Sequence, residues 1–294
     1  MSAELGILFA LGALLFWGIG DFLLQRTTRK IGDWETILVI TIFGAVVTLP
    51  LVYNDLLSIA SISDKTLILL IGVSCVLLVT AILDFEALKK GKIAVVEPVL
   101  ALEVPVTAIL AFAVINEGLA ALEILLIAML VIGIVLVSLK SRHIKKVRSF
   151  RWLERGVILT IVAAILLGTA NFLVGFTARI TTPLLVNWFT DAFIAAMSVF
   201  YFVINRKTGK VVLDFRRNYK LILTVSFFDN FAWIFFAFAV LYIPIAVAIA
   251  LSESYIALAA LLGLFINREI LMRHQKIGLV TALGGAIALS IIVL

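Results

Sequence analysis

The sequence predicts an all-α polytopic membrane protein, with ten transmembrane helices arranged as two inverted five-helix repeats. Three observations predict it. Hydrophobic residues make up 64% of the 294 residues and charged residues 14%, with a mean hydropathy of +1.22, against roughly 45–50% and 25% in ordinary soluble domains. The apolar residues gather into ten runs, each long enough to cross a hydrocarbon core of roughly 30 Å. The second half of the chain repeats the first.

The runs span roughly 4–25, 34–53, 66–88, 92–115, 119–140, 156–178, 184–204, 219–241, 244–266 and 275–294. Turn and charge signals separate them: QRTTRKIGD, NDLLSIASISD, KKGK, NEG, the linker SRHIKKVRSFRWLER, TTP, NRKTGK with DFRRN, the Tyr242–Pro244 corner, and NREILMRHQK. This divides the chain into a first repeat (1–140), a basic cytoplasmic linker (141–155) and a second repeat (156–294). The N-terminal MSAELG has no basic region before its apolar run, so the first helix reads as retained and not as a cleaved signal peptide.

The sequence pI near 9.5 does not point to nucleic acid, because the basic residues lie in short pieces between apolar runs. Of the 24 Lys and Arg residues, 22 fall in the loops after odd-numbered helices; only Lys65 and Arg179 lie on the other side. The positive-inside rule puts those five loops in the cytoplasm and both termini outside, in a plasma (cytoplasmic) membrane. Cys75, the one cysteine, excludes an intrachain disulfide and reads as packing.

The repeat has two anchors. Gly6 to Phe22 aligns with Gly156 to Phe172 at an offset of 150, pairing Asp21 with Asn171. Ala94 to Glu117 aligns with Ala246 to Glu269 at an offset of 152, pairing Glu103 with Tyr255. Five helices are an odd number, so the second copy enters the membrane upside down. That is the plan of many secondary transporters, which hold substrate near the midplane between repeats.

Lys92 to Glu117 is the most informative stretch. It carries Glu97 and Glu103, each close to a proline, Pro98 and Pro105. A carboxylate at membrane depth costs at least ~2.5–3.5 kcal/mol, and proline frees a carbonyl that lipid cannot satisfy. The segment therefore reads as one wall of an internal cavity. Other polar groups fall inside runs: Asp191, Asp229 with Asn230 and Glu253 near the middle, and Asp21, Asp84, Glu86 and Asn171 nearer the ends. No lysine or arginine shares the central depth, so a proton or a cation must answer these acids. Asp229 and Trp233, like Trp17 and Asp21, are four residues apart and share a helix face, and an acid beside an aromatic face suits an alkylammonium group.

The helix-1 entry Phe16-Trp17-Gly18, the helix-3 exit Ala87-Leu88, helix 4 through Asn116-Glu117 and the helix-9 counterpart ending Asn267-Arg268-Glu269 resemble the drug/metabolite transporter superfamily, specifically its ten-helix EamA-type branch. The resemblance covers nearly the whole chain. It implies a pathway lined by helices 1, 3, 4, 6, 8 and 9, with 5 and 10 as packing elements. It makes Glu117 and Glu269 signature residues, which on position bind loops and helix ends and not substrate. It also implies cytoplasmic termini, the reverse of the charge count. It leaves the substrate open, since the family moves amino acids, amines, nucleotide-linked sugars and other metabolites.

The expected substrate- or ion-binding residues are therefore Glu103, Asp229, Glu253, Asp191, Trp233 and Tyr255; Asp21, Trp17, Asp84, Glu97 and Asn171 are expected at a gate or entrance. The plainer reading has Asp191 bonded to Asn187 or a neighbouring backbone, with Trp17 and Trp188 as packing. His143 and His274 lie in loops with no partner at ligand spacing, so no metal or other cofactor is expected. No nucleotide-binding loop, hydrolase elbow or zinc-protease motif occurs in the sequence, which argues against an enzyme. Small residues around Gly133 and at Gly278, Ala282 and Gly285 allow close helix approach; they join the two halves or make a homodimer. The sequence thus predicts a secondary transporter of a small organic solute, amine-bearing or cationic, coupled to protons or another ion. The alternatives are an exporter of neutral amino acids or a membrane receptor or scaffold.

Overall fold

A computed structural model describes residues 3–57, 62–90, 100–138, 155–255 and 272–293. Ten helices occur among the described residues: α1 (Ala3–Ile31), α2 (Asp33–Leu57), α3 (Asp64–Lys90), α4 (Glu103–Ile115), α5 (Ala121–Ser138), α6 (Arg155–Ile180), α7 (Pro183–Ile204), α8 (Thr208–Ala239), α9 (Ile245–Ser252) and α10 (Arg273–Val293). Six of these, α1, α2, α3, α6, α7 and α8, contain stretches long and apolar enough to cross a bilayer; α4 and α5 are shorter apolar helices. Leu8, Phe22, Ile68, Val280 and Ile291 are all more than 60% exposed. Helices apolar on their outer faces as well as their inner ones are solvated by lipid, and the chain is an integral membrane protein.

The packing is paired. α1 lies along α8, α3 along α6, α2 along α7, and α5 along α10; α4 rests on α6 and α9 on α1. Between α5 and α10 the glycines let backbones touch. A Cβ on Gly133 would stand 2.5 Å from the Ala282 nitrogen and 2.7 Å from the Gly278 oxygen. The small-residue faces are thus used within the chain. Several hydroxyls buried in the helices satisfy themselves, as Thr41, Thr48, Ser74 and Thr80 donate to carbonyls four residues earlier.

Each end of the bundle is tied differently. At the end carrying the basic loops, Gly32 takes a φ of +112° between α1 and α2, a conformation that suits glycine alone. Lys210 there pairs with Glu35 and donates to the Ile31 carbonyl, while Lys89 pairs with Asp33 at 3.0 Å and lies 3.8 Å from Glu86. At the opposite end, Arg179 donates to the carbonyls of Val240 (2.6 Å) and Ile243 (2.9 Å) and to Glu117 at 2.9 Å. The second Glu117 oxygen accepts the Ile245 backbone N–H at 3.0 Å. Glu117 therefore binds helix ends, as its position implied.

Two sequence expectations change. NRKTGK with DFRRN reads as a loop, yet the chain is helical from Thr208, and α8 only kinks at Asn218, where φ is −128°. The Asn218 amide donates to the Asp214 carbonyl at 3.1 Å, competing with the backbone ladder at that point. Glu103 falls mid-run in the sequence but opens α4, because the helix starts afresh there. Pro105 has no N–H to offer the Ala101 carbonyl, and Val104 takes that carbonyl in a tighter turn at 3.3 Å. α9 breaks correspondingly at Glu253, with the Ser254 N–H bonded to the Leu251 carbonyl at 3.2 Å.

Candidate functional site

The two helix breaks face one cavity of about 140 Å³. Its wall includes all six expected binding residues, Glu103, Asp229, Glu253, Asp191, Trp233 and Tyr255, and four of the five expected gate residues, Asp21, Trp17, Asp84 and Asn171. Glu97 lies outside the described residues, as do Glu269 and His143. Among the described residues, no lysine or arginine lines the cavity. Six carboxyl groups share a low-dielectric space without a basic side chain.

Local structure puts them there. α1 supplies Trp17, Asp21 and Leu24 from successive turns of one face, and α8 supplies Asp229 and Trp233 in the same way. Trp17 and Trp233 meet edge-to-face at 5.3 Å, and Trp17 also packs on Phe236 at 5.7 Å. Beyond them Phe9 stacks on Phe238 and Tyr242, sealing the α1–α8 seam. The cavity instead runs toward the basic-loop end, past Leu24 on α1, Ile37 and Ile40 on α2, and Ala81, Asp84 and Phe85 on α3.

Two hydrogen bonds hold the centre. The Asn171 amide donates to Glu103 at 2.8 Å, and the Tyr255 hydroxyl donates to Asp21. Asp21 aligns with Asn171 in the repeat, and Glu103 with Tyr255. Each bond therefore joins the same two repeat positions, once from α6 to α4 and once from α1 to the residue beyond α9. The glycines behind them match too. Gly168 faces the Glu103 carbonyl and Val106, and Gly18, 150 residues earlier, faces the Tyr255 side chain. Asp21 and Asn171 thus meet the residues at the two helix breaks.

The acids form a connected series. Asp191 and Asp229 are electrostatic neighbours, as are Asp229 and Asp21, and Asp21 and Glu103; the Glu103 and Glu253 carboxyls are hydrogen-bond partners. The bond between Asp191 and Asn187 does not form: the Asn187 amide donates to the Pro183 carbonyl at 2.7 Å. Trp188 packs outside the cavity wall and donates to the Ala45 carbonyl at 3.1 Å.

Three residues have roles that the sequence reading did not assign. Gly44 lets Asp191 and Asn230 close on α2; a Cβ there would stand 2.0 Å from an Asp191 oxygen and 1.9 Å from the Asn230 oxygen. A glycine in the interior of a predicted span was its only signal. Asn230 donates to the Ile40 and Ser226 carbonyls, which aims its oxygen inward. Arg179 closes the far end, and its isolation from the other basic residues was the available clue.

Comparison with known proteins agrees with this architecture. Residues 4–139 match the sequence model of the EamA-like transporter family. A solved crystal structure superposes with a TM-score of 0.74, covering 97% of this chain and 96% of its own, at 16% identity; at that identity the likeness concerns the fold. No curated protein matches in sequence. The matched stretch, somewhat under half of the chain, is the one that supplies Trp17, Asp21, Asp84 and Glu103 to the cavity, and over it this integral membrane protein is similar to the EamA-like transporter family.

Proposed function

We propose that the chain is a secondary active transporter that carries a small amine-bearing or cationic organic solute by alternating access around this acidic cavity. One observation carries the reading: six carboxyls and two tryptophans line the cavity, and among the described residues no lysine or arginine lines it. Desolvated acids attract a cation strongly, and the tryptophan faces add cation–π attraction. Two carboxyls bonded to each other share a proton, so the Glu103–Glu253 contact supplies a place for a coupling proton that an arriving ammonium would displace.

The repeat supports the mechanism. The helix pairings map onto themselves when α1–α5 are exchanged for α6–α10: α1 with α8 becomes α6 with α3, and α4 with α6 becomes α9 with α1. The two central hydrogen bonds exchange in the same way. Two inverted halves of this kind allow a second state in which the cavity opens to the opposite end. With the basic loops in the cytoplasm, the arrangement seen here opens inward and is closed outside by Arg179 and Glu117.

A thermal-shift panel on purified protein tests the chemistry, because a ligand stabilises the state it binds. Primary amines and quaternary ammonium compounds at ~100 times their dissociation constant should add about 2.7 kcal/mol of stability, while matched carboxylic acids add none. A rise with carboxylic acids alone would contradict the proposal, and a rise confined to zwitterions would replace it with export of neutral amino acids.

A further inference from the structure

Two of the carboxyls that line the cavity, Asp191 and Glu103, each have a side-chain amide beside them. On the α7–α8 side, an Asp191 oxygen and the Asn230 oxygen both lie within about 2 Å of the point where a Gly44 Cβ would stand. The Asn230 amide hydrogens are spent on the Ile40 and Ser226 carbonyls. Two acceptors therefore face each other, which is favourable only with a donor between them. Asp229 adds its charge to this side.

On the α4–α9 side, Glu103 bonds to Asn171 and to Glu253. Asn171 is 1% exposed and lines the cavity. Its amide nitrogen is engaged by Glu103, and its oxygen is buried with no hydrogen-bond partner among the described residues. A buried acceptor left unmatched costs roughly 1–3 kcal/mol, and a bound N–H donor removes that cost. The same cavity wall also carries the apolar side chains Leu24, Ile37, Ile40, Leu77 and Phe85.

The geometry points to a solute with an ammonium group at each end, a linear alkyl diamine, held by Asp191 and Asn230 at one end and by Glu103 and Asn171 at the other. This rests on the amine reading above and narrows it. The methylenes lie against the aliphatic wall, which repels a polar linker. A single ammonium fills one group and leaves the other with its acids unanswered.

Calorimetric titration of the purified protein with 1,4-diaminobutane and 1,5-diaminopentane, against 1-aminobutane and 1-aminopentane, tests it. A second charge-assisted set of hydrogen bonds should tighten the diamines roughly tenfold or more over the monoamines. Asp191→Asn and, separately, Asp229→Asn should bring the diamines to within about threefold of the monoamines, with unliganded melting temperature as the check on folding. Equal affinity for mono- and diamines would overturn the two-ended site and leave the amine reading standing. Binding of neither series would overturn both.

Discussion

Replacing Glu103 with glutamine is expected to slow transport of an amine by about 30-fold or more while leaving the melting temperature within a few degrees of wild type. The two effects separate because of what Glu103 touches. It is 2% exposed and accepts from the Asn171 amide at 2.8 Å, and a glutamine oxygen can accept the same bond. The lost charge has no such substitute. Removing one partner of a buried charge pair costs about 2–5 kcal/mol in binding, so the substrate loses its partner while the fold keeps its packing. Exchange rates in proteoliposomes and the melting curve of the same preparation check both halves. A variant that is fast and well folded would remove Glu103 from the site.

Arg179→Ala should open the end of the molecule that this structure shows closed. The Arg179 side chain ties α6 to Glu117 and to the carbonyls of Val240 and Ile243, so three segments lose their common partner at once. Hydrogen bonds to charged groups contribute roughly 1.5–3 kcal/mol each, reduced here because the pair is partly exposed. Even one such bond shifts an open-to-closed ratio about tenfold. The measurement is the rate at which a membrane-impermeant maleimide, applied from the α4–α5 loop side, modifies a cysteine placed at Thr41 in a Cys75→Ser background. The rate should rise about tenfold or more. Arg179→Lys should recover little of the closure, because an ammonium cannot reproduce the fork that reaches three acceptors. An unchanged rate would mean that the aromatic seam of Phe9, Phe238 and Tyr242 holds that end by itself.

Much of this was legible in the sequence because lipid makes each polar choice expensive. An acid inside an apolar run needs a reason, which is why Glu103, Asp191, Asp229 and Glu253 could be gathered before any contact was known. The break at Glu103 was not read from the sequence, which carries one apolar run through 92–115, although Pro105 and its missing N–H held the local signal. The α5–α10 contact was legible from Gly133 and Gly278 as a close approach, though whether it lay within one chain or between two was not. The helical start of α8 was hidden because KVVLDFRR is charged enough to read as a loop while its apolar residues still recur at helical spacing. Gly44 and Arg179 were hidden for another reason. Their roles are three-dimensional: one matters through the space it leaves for two side chains from other helices, the other through carbonyls more than sixty residues away. The length of α1 was underestimated by hydropathy, since that helix continues through polar residues to Ile31.

The central claim is that the acidic cavity between the halves carries a cation across the membrane. Solute counterflow tests it most directly: proteoliposomes loaded with an unlabelled amine are diluted into a trace of the same amine carrying a label. The account predicts a transient accumulation of label above equilibrium in wild-type vesicles and none in vesicles holding Glu103→Gln. Accumulation of a labelled organic anion in this assay, with none of any amine, would contradict it.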